Sequence, residues 1–169
     1  MSEVILNGKV VSDDWTWIES ETEWKNRSSQ SKCFVPFKVW QSIRSEVLNT
    51  ENTFIGVQLE TSDEPETIAN DLKHLQLISI HFAEFKDGRG FSLARLLRER
   101  FHFTAELRAV GDILRDQIFY LHRCGFNSFV PRNDQPMEAC IAALKDFTET
   151  YQAAVDVPEP LFRRLKINS

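Results

Sequence analysis

The sequence predicts an α/β fold: four consecutive strand–helix units behind an N-terminal β-hairpin arm. Three observations predict it. From residue 53 onward, four β-rich apolar runs alternate with four amphipathic stretches. The loops between them are short, so the strands run parallel with right-handed crossovers. Residues 1–32 lack that rhythm and open on a hairpin signal. Four such units make half of a (β/α)8 barrel or an open parallel sheet.

Val4–Leu6 and Val10–Val11 flank Asn7-Gly8, a strong turn signal. Asp13 to Lys32 is polar, with Trp15, Trp17 and Trp24 interspersed and serines at 28, 29 and 31. It reads as an arm packed on the domain or on a second subunit. Cys33–Val35 leads through Pro36 into a helix over Val39–Leu48, with Trp40, Ile43 and Val47 on one side.

The regular part follows. Thr53–Leu59 is the first strand of the series, and Asp63-Glu64-Pro65-Glu66 starts a helix with the stripe Ile68, Ala69, Leu72. Leu77–Phe82 is the second strand. Ser92 caps a helix through Phe101. Leu107–Val110 is the third strand, and Asp112 caps a helix through Cys124, with Gly125 just past its end. Phe126–Val130 is the fourth strand. Asn133 or Asp134 starts a last helix whose stripe is Met137, Cys140, Ile141, Leu144, Phe147 and Tyr151. The division expected is an arm at 1–32, a βα domain at 33–155 and a basic tail at 156–169. Half a barrel leaves two open sheet edges, which the arm or a second subunit must cover, so a homodimer is expected.

The chain has 169 residues and a net charge of −5. That disfavours a general nucleic-acid or anionic-membrane binder. No apolar run approaches membrane-spanning length and no secretory leader is visible, so a cytoplasmic protein is expected. Cys33, Cys124 and Cys140 are scattered, without zinc spacing, and fit a reduced compartment. Charge is uneven: residues 1–85 carry 7 basic and 14 acidic side chains, residues 86–169 carry 13 and 11. Eight of the twelve arginines lie between Arg89 and Arg132. Most belong to solvated helix faces, but arginine forks also suit oxyanions.

In parallel α/β folds the ligand lies beyond the C-terminal strand ends. Four loops qualify: Glu60–Asp63, Ala83–Gly90, Gly111–Asp112 and Pro131–Asp134. In the second, Gly88 and Gly90 let backbone approach a ligand ahead of a helix, with Arg89 between them and Ser92 beyond. The other reading is a flexible turn capped by Asp87. In the third, Gly111 allows close approach, and Arg115 and Asp116 follow one turn into the helix. Asp112 reads as a cap. Alternatively, Asp87 and Asp112 form an acid/base or metal pair across neighbouring loops. His81, between Ile80 and Phe82, is directed to the opposite face, for catalysis or for packing. No nucleotide, flavin, haem, iron–sulfur or metalloprotease motif is present.

Several longer motifs recur in order. They are Phe85-Lys86-Asp87-Gly88-Arg89-Gly90-Phe91-Ser92 with Ala94-Arg95-Leu96-Leu97-Arg98-Glu99-Arg100, then Glu106-Leu107-Arg108-Ala109-Val110-Gly111-Asp112, Leu114-Arg115-Asp116-Gln117 and Arg123-Cys124-Gly125-Phe126. Together they resemble a proteobacterial family catalogued as a domain of unknown function, number 934. The resemblance runs from about residue 33 to Arg164 and includes Pro160-Leu161-Phe162-Arg163-Arg164. It implies an oxidoreductase associated with assimilatory sulfite reduction, with sulfite reductase as a partner. In such proteins the first strand usually ends in Asp. Glu60 stands at the matching position and keeps the charge with a longer reach.

Three readings follow. The first is an accessory protein or oxidoreductase of sulfite reduction, with Asp87, Arg89, Asp112 and Arg115 around a small oxyanion and its cofactor unknown. The second is a non-redox enzyme on a phosphorylated or sulfated small molecule, with Asp87 or Asp112 as base. The third is an interaction module that uses the Trp-rich arm and the basic tail.

Overall fold

A computed structural model describes residues 2–28, 31–50 and 54–164. Ser29, Thr53 and the last five residues of the expected tail lie outside the described residues. Eight strands form one sheet: β1 (Glu3–Leu6), β2 (Lys9–Ser12), β3 (Thr16–Trp17), β4 (Cys33–Pro36), β5 (Ile55–Glu60), β6 (Leu77–Phe82), β7 (Glu106–Gly111) and β8 (Ser128–Phe129). Their order is β2-β1-β8-β7-β6-β5-β4-β3. β3 to β8 are parallel, and the β1–β2 hairpin adds antiparallel to β8. The four expected strands are the middle of a half-barrel. Cys33–Pro36 and a short piece of the arm extend it on one side and the hairpin on the other.

The hairpin turn has the expected form. Asn7 and Gly8 both have positive φ, 50° and 76°, as a two-residue primed turn requires. The arm is built in. Helix α1 (Glu21–Asn26) is capped by Ser20 and buries Trp24, whose indole N–H donates to Glu46 Oε1 at 3.0 Å. Trp17 stacks on Phe34 at 4.9 Å.

α2 (Phe37–Leu48) presents Trp40, Ile43 and Val47 to the core. It is pinned by buried Asp71, which accepts from Arg44 Nε and Nη2 at 2.7 Å and from Trp40 Nε1 at 3.2 Å. The convex face of the sheet, with Val35, Val57, Leu59, Ile78, Ile80, Phe82, Leu107 and Ala109, packs under the helices as the main core.

Several helix boundaries differ from expectation. Asp63 does not cap a helix; its carboxylate turns back to accept the Glu60 N–H at 2.8 Å. Two 3-10 turns, Pro65–Thr67 and Ala69–His74, replace the expected helix. α3 (Arg89–Arg95) starts three residues before Ser92, because Asp87 takes the Arg89 N–H at 3.1 Å and ends the loop there. It continues as a wider π turn, Leu96–Arg100. Asp112 is not a cap: its carboxylate bonds elsewhere, and Gln117 accepts the Leu114 N–H before α4 (Ile118–Arg123). α5 (Met137–Ala143) begins after Pro136 and stops short of Phe147 and Tyr151, which are 63% and 67% exposed. A last short helix, α6 (Leu161–Arg164), lies within the expected tail. Phe119 meets Phe147 at 4.9 Å, so the segment after α5 lies along α4 instead of extending its own helix.

The concave face mixes apolar side chains, Phe34 and Leu77 among them, with one continuous polar row. Register places Gln58, Ser79, Arg108 and Ser128 side by side on four adjacent strands. Arg108 is only 2% exposed. Its guanidinium donates to both oxygens of Asp13, at 2.8 and 3.0 Å, and to Glu106 at 2.9 Å. Asp13 belongs to the link Asp13-Asp14-Trp15, which joins β2 and β3 at opposite edges of the sheet. Four residue steps span at most about 14 Å. The two edges therefore curl toward each other across that link, and the link is what Arg108 grips. The open edges on which a homodimer was expected are thus held close together within one chain.

Candidate functional site

The C-terminal strand ends carry three side-chain clusters. The first is on the concave face. Glu60 and His81 are register partners on β5 and β6, and His81 Nδ1 lies 2.9 Å from Glu60 Oε2. A carboxylate cannot donate, so Nδ1 carries the proton in this contact; in the neutral ring Nε2 is then the acceptor. His81 therefore points to the face opposite Ile80 and Phe82, half-exposed at the mouth of the curled sheet. Gly111 makes room for it. A Cβ there would stand 2.9 Å from His81 Cδ2 and 2.3 Å from the Phe82 carbonyl oxygen, and φ is +99°.

The second cluster joins the β5 and β6 loops. Asp87 accepts from the Thr61 hydroxyl at 2.5 Å and from Arg89 Nε and Nη2 at 2.9 and 2.7 Å. The Arg89 guanidinium, then the Thr61 hydroxyl, hold the Asp87 carboxyl far below the usual carboxylate range. Arg89 is itself 65% exposed, and its Nη1 has no partner among the described residues. Beside it, nothing lies within 4 Å of where a Gly88 Cβ would be. A hollow of about 480 Å³ is lined by Ala83, Glu84, Lys86, Asp87 and Arg89. Gly90 serves packing: a Cβ there would sit 2.5 Å from the Phe82 ring. Ser92 is exposed on α3, one turn further on.

The third cluster joins the β6, β7 and β8 loops. Asp112 accepts the Phe85 N–H at 3.1 Å and Arg132 Nη1 at 2.9 Å. Arg132 also forks onto Asp134 at 2.7 and 2.8 Å and holds that carboxyl down to about 2. Gln117 Nε2 donates to the Phe85 carbonyl at 2.7 Å. Loop 83–88 is thus tied to Thr61 on one side and to Asp112 and Gln117 on the other.

These ties separate some expected partners. Asp87 and Asp112 each hold their own arginine on opposite sides of that loop and form no pair with each other. Arg115 turns away to Asp116 and Asp146, at 3.2 and 2.7 Å. Asp116 is 87% exposed. No group of three metal-ligating side chains occurs among the described residues. All three cysteines are buried, and burial raises their thiol pKa, which makes them poor nucleophiles.

Thr61 and Arg132 lie in two of the four loops expected to face a ligand, and Gln117 in one of the recurring motifs, but none of the three stands out as a site residue in the sequence. Arg132-x-Asp134 between a strand and a helix was a readable signal for one of them; Thr61 and Gln117 are ordinary residue types that gain meaning only from the fold.

The low carboxyl pKa values set a pH dependence. A carboxylate depressed in the folded state stabilises above its unfolded value, near 3.8, and that support is lost as pH falls through the folded value. The Asp134–Arg132 contact and then the Asp87–Arg89 contact should therefore weaken between about pH 4 and the strongly acid range. Protection of the Arg89 amide, which Asp87 accepts, should fall over that interval once exchange rates are corrected for the intrinsic effect of pH. In Asp87→Asn that protection should already be lost at pH 7, and protection equal to wild type at pH 7 would contradict the assignment.

A family described as "Bacterial protein of unknown function (DUF934)" matches residues 56–162. The chain belongs to that family. The matched span of this DUF934 chain holds β5 to β8, all three clusters and Arg108, while the hairpin and arm lie before it. No curated protein and no solved structure matches the chain. No helix among the described residues is long and apolar enough to cross a membrane.

Proposed function

We propose that this DUF934 chain is an accessory protein of assimilatory sulfite or sulfate reduction that holds a small oxyanion in the hollow beside Arg89. The observation that carries the binding site is the geometry of Arg89. Asp87 and Thr61 fix Nε and Nη2 of its guanidinium and leave Nη1 without a protein partner among the described residues, and both carboxylates of the hollow are already neutralised, Asp87 by Arg89 and Glu84 by Lys86 at 3.1 Å. A pre-set guanidinium loses little rotamer freedom on binding. The pathway rests on the family resemblance, which also gives sulfite reductase as the docking partner. Docking, or pairing with a second copy, would use the outward aromatics Phe147, Tyr151 and Phe162. The oxidoreductase label of the resemblance would require an electron carrier, which the residues do not name.

A second reading has one observation of its own. His81 with Glu60 is an oriented acid/base pair, as a non-redox enzyme on a phosphorylated or sulfated small molecule would use.

Titration separates the two. Sulfite should raise the melting temperature saturably, beyond chloride at equal ionic strength, in wild type but not in Arg89→Gln. His81→Gln should leave that shift intact. An equal response from both anions, or an unchanged response in Arg89→Gln, would overturn the Arg89 site.

A further inference from the structure

A second cavity, of about 400 Å³, opens on the other side of Glu60. It is lined by Pro36, Phe37, Lys38, Gln41, Gln58, Glu60 and Asp63 and shares no lining residue with the Arg89 hollow. Its polar groups are of two kinds. Lys38, Gln41 and Gln58 have no hydrogen-bond or ion-pair partner for their side chains among the described residues. Glu60 and Asp63 supply two carboxylates, one of them backed by His81, the other turned to the Glu60 N–H through one oxygen.

We propose that this cavity binds a small zwitterion, of the size and charge of an α-amino acid. Its anionic end meets Lys38, on the first turn of α2, which has neither a side-chain cap nor an acidic residue in that turn. Its ammonium end meets Asp63 and Glu60. Gln41 and Gln58 are the neutral donors and acceptors between the two ends. Among the described residues no ion pair joins Lys38 to Glu60 or Asp63, so a lone anion would face two carboxylates and a lone cation would face Lys38, whereas a molecule carrying both charges meets each with its opposite.

The cavity volume is in the range of small-molecule sites. The position, at the C-terminal ends of two adjacent parallel strands, is where such folds place ligands.

The site is independent of the oxyanion reading, so either can fail alone. The test is calorimetric titration of the whole chain with each of the common amino acids, alongside acetate, methylamine and sulfate. At least one amino acid should bind saturably, and acetate, methylamine and sulfate should not. Lys38→Met and Asp63→Asn, both at solvent-accessible positions, should each weaken binding by about tenfold to a hundredfold. Arg89→Gln should leave it unchanged. Absence of binding by every amino acid at millimolar concentration would overturn the proposal. So would sulfate binding that Lys38→Met removes, or amino-acid binding indifferent to both variants.

Discussion

Arg108→Met should cost roughly 3–5 kcal/mol of folding stability, the usual range when one partner of a buried ion pair is removed. The guanidinium is 2% exposed and joins Asp13 to Glu106 inside the curled sheet. Without it, two carboxylates that are about 11–12% exposed face each other with no cation between them. The three-residue link between the sheet's two edges also loses its anchor. Urea unfolding reads the effect directly. Asp13→Asn keeps the shape and removes one charge, so it should cost less. A loss below about 1 kcal/mol in Arg108→Met, the level of an exposed pair, would mean that water already reaches this cluster.

Gly111→Ala should be nearly as severe, at roughly 2–5 kcal/mol. A left-handed backbone costs an ordinary residue about 1–2 kcal/mol, and overpacking adds about 1–3. Here φ is +99°, and the new methyl would meet the Phe82 carbonyl oxygen at 2.3 Å. It would also press on the His81 ring, so the Glu60–His81 contact should be lost together with stability. The control is Gly88→Ala. That glycine has φ −72° and open space around it, so the change should be neutral or slightly stabilising. Thermal melts of the two variants should therefore diverge widely, and equal melting temperatures would contradict the placement of Gly111.

These two residues show what could and could not be read from the sequence. Gly111 was legible as a tight strand-end glycine, because a glycine followed by Asp112 after an apolar run permits few other conformations. The four central strands were legible for the same kind of reason: each is a short β-branched or apolar run between turn residues. Arg108 was not legible. Alternation places it on the inner face, but its partner Asp13 stands 95 residues away, and only the curl of the sheet brings them together. β3 has two residues, too short for any periodicity to show, and the fourth expected strand, Phe126–Val130, narrows to Ser128–Phe129.

The site divides in the same way. Loop 83–90 was visible through its glycines and Arg89, yet the roles of those glycines differ. Gly88 is open, whereas Gly90 exists to let Phe82 pack. Asp112 looked like a helix cap because Asp before a helical pattern commonly is one. In the fold, the Phe85 N–H and Arg132 claim it instead. Arg115 and Arg89 looked alike in sequence, but Asp146 draws Arg115 away. Long-range competition for a charge has no local signature, so an arginine's availability cannot be read before its partners are placed.

The most direct measurement of the central claim is growth of a deletion strain of the source organism on sulfite and on sulfide as sole sulfur sources. The strain should fail on sulfite and grow on sulfide. The wild-type gene should restore growth on sulfite, and a stably folded Arg89→Gln variant should not. Equal growth of the deletion strain on both sources would contradict a role in sulfite reduction, and full restoration by Arg89→Gln would contradict the oxyanion site.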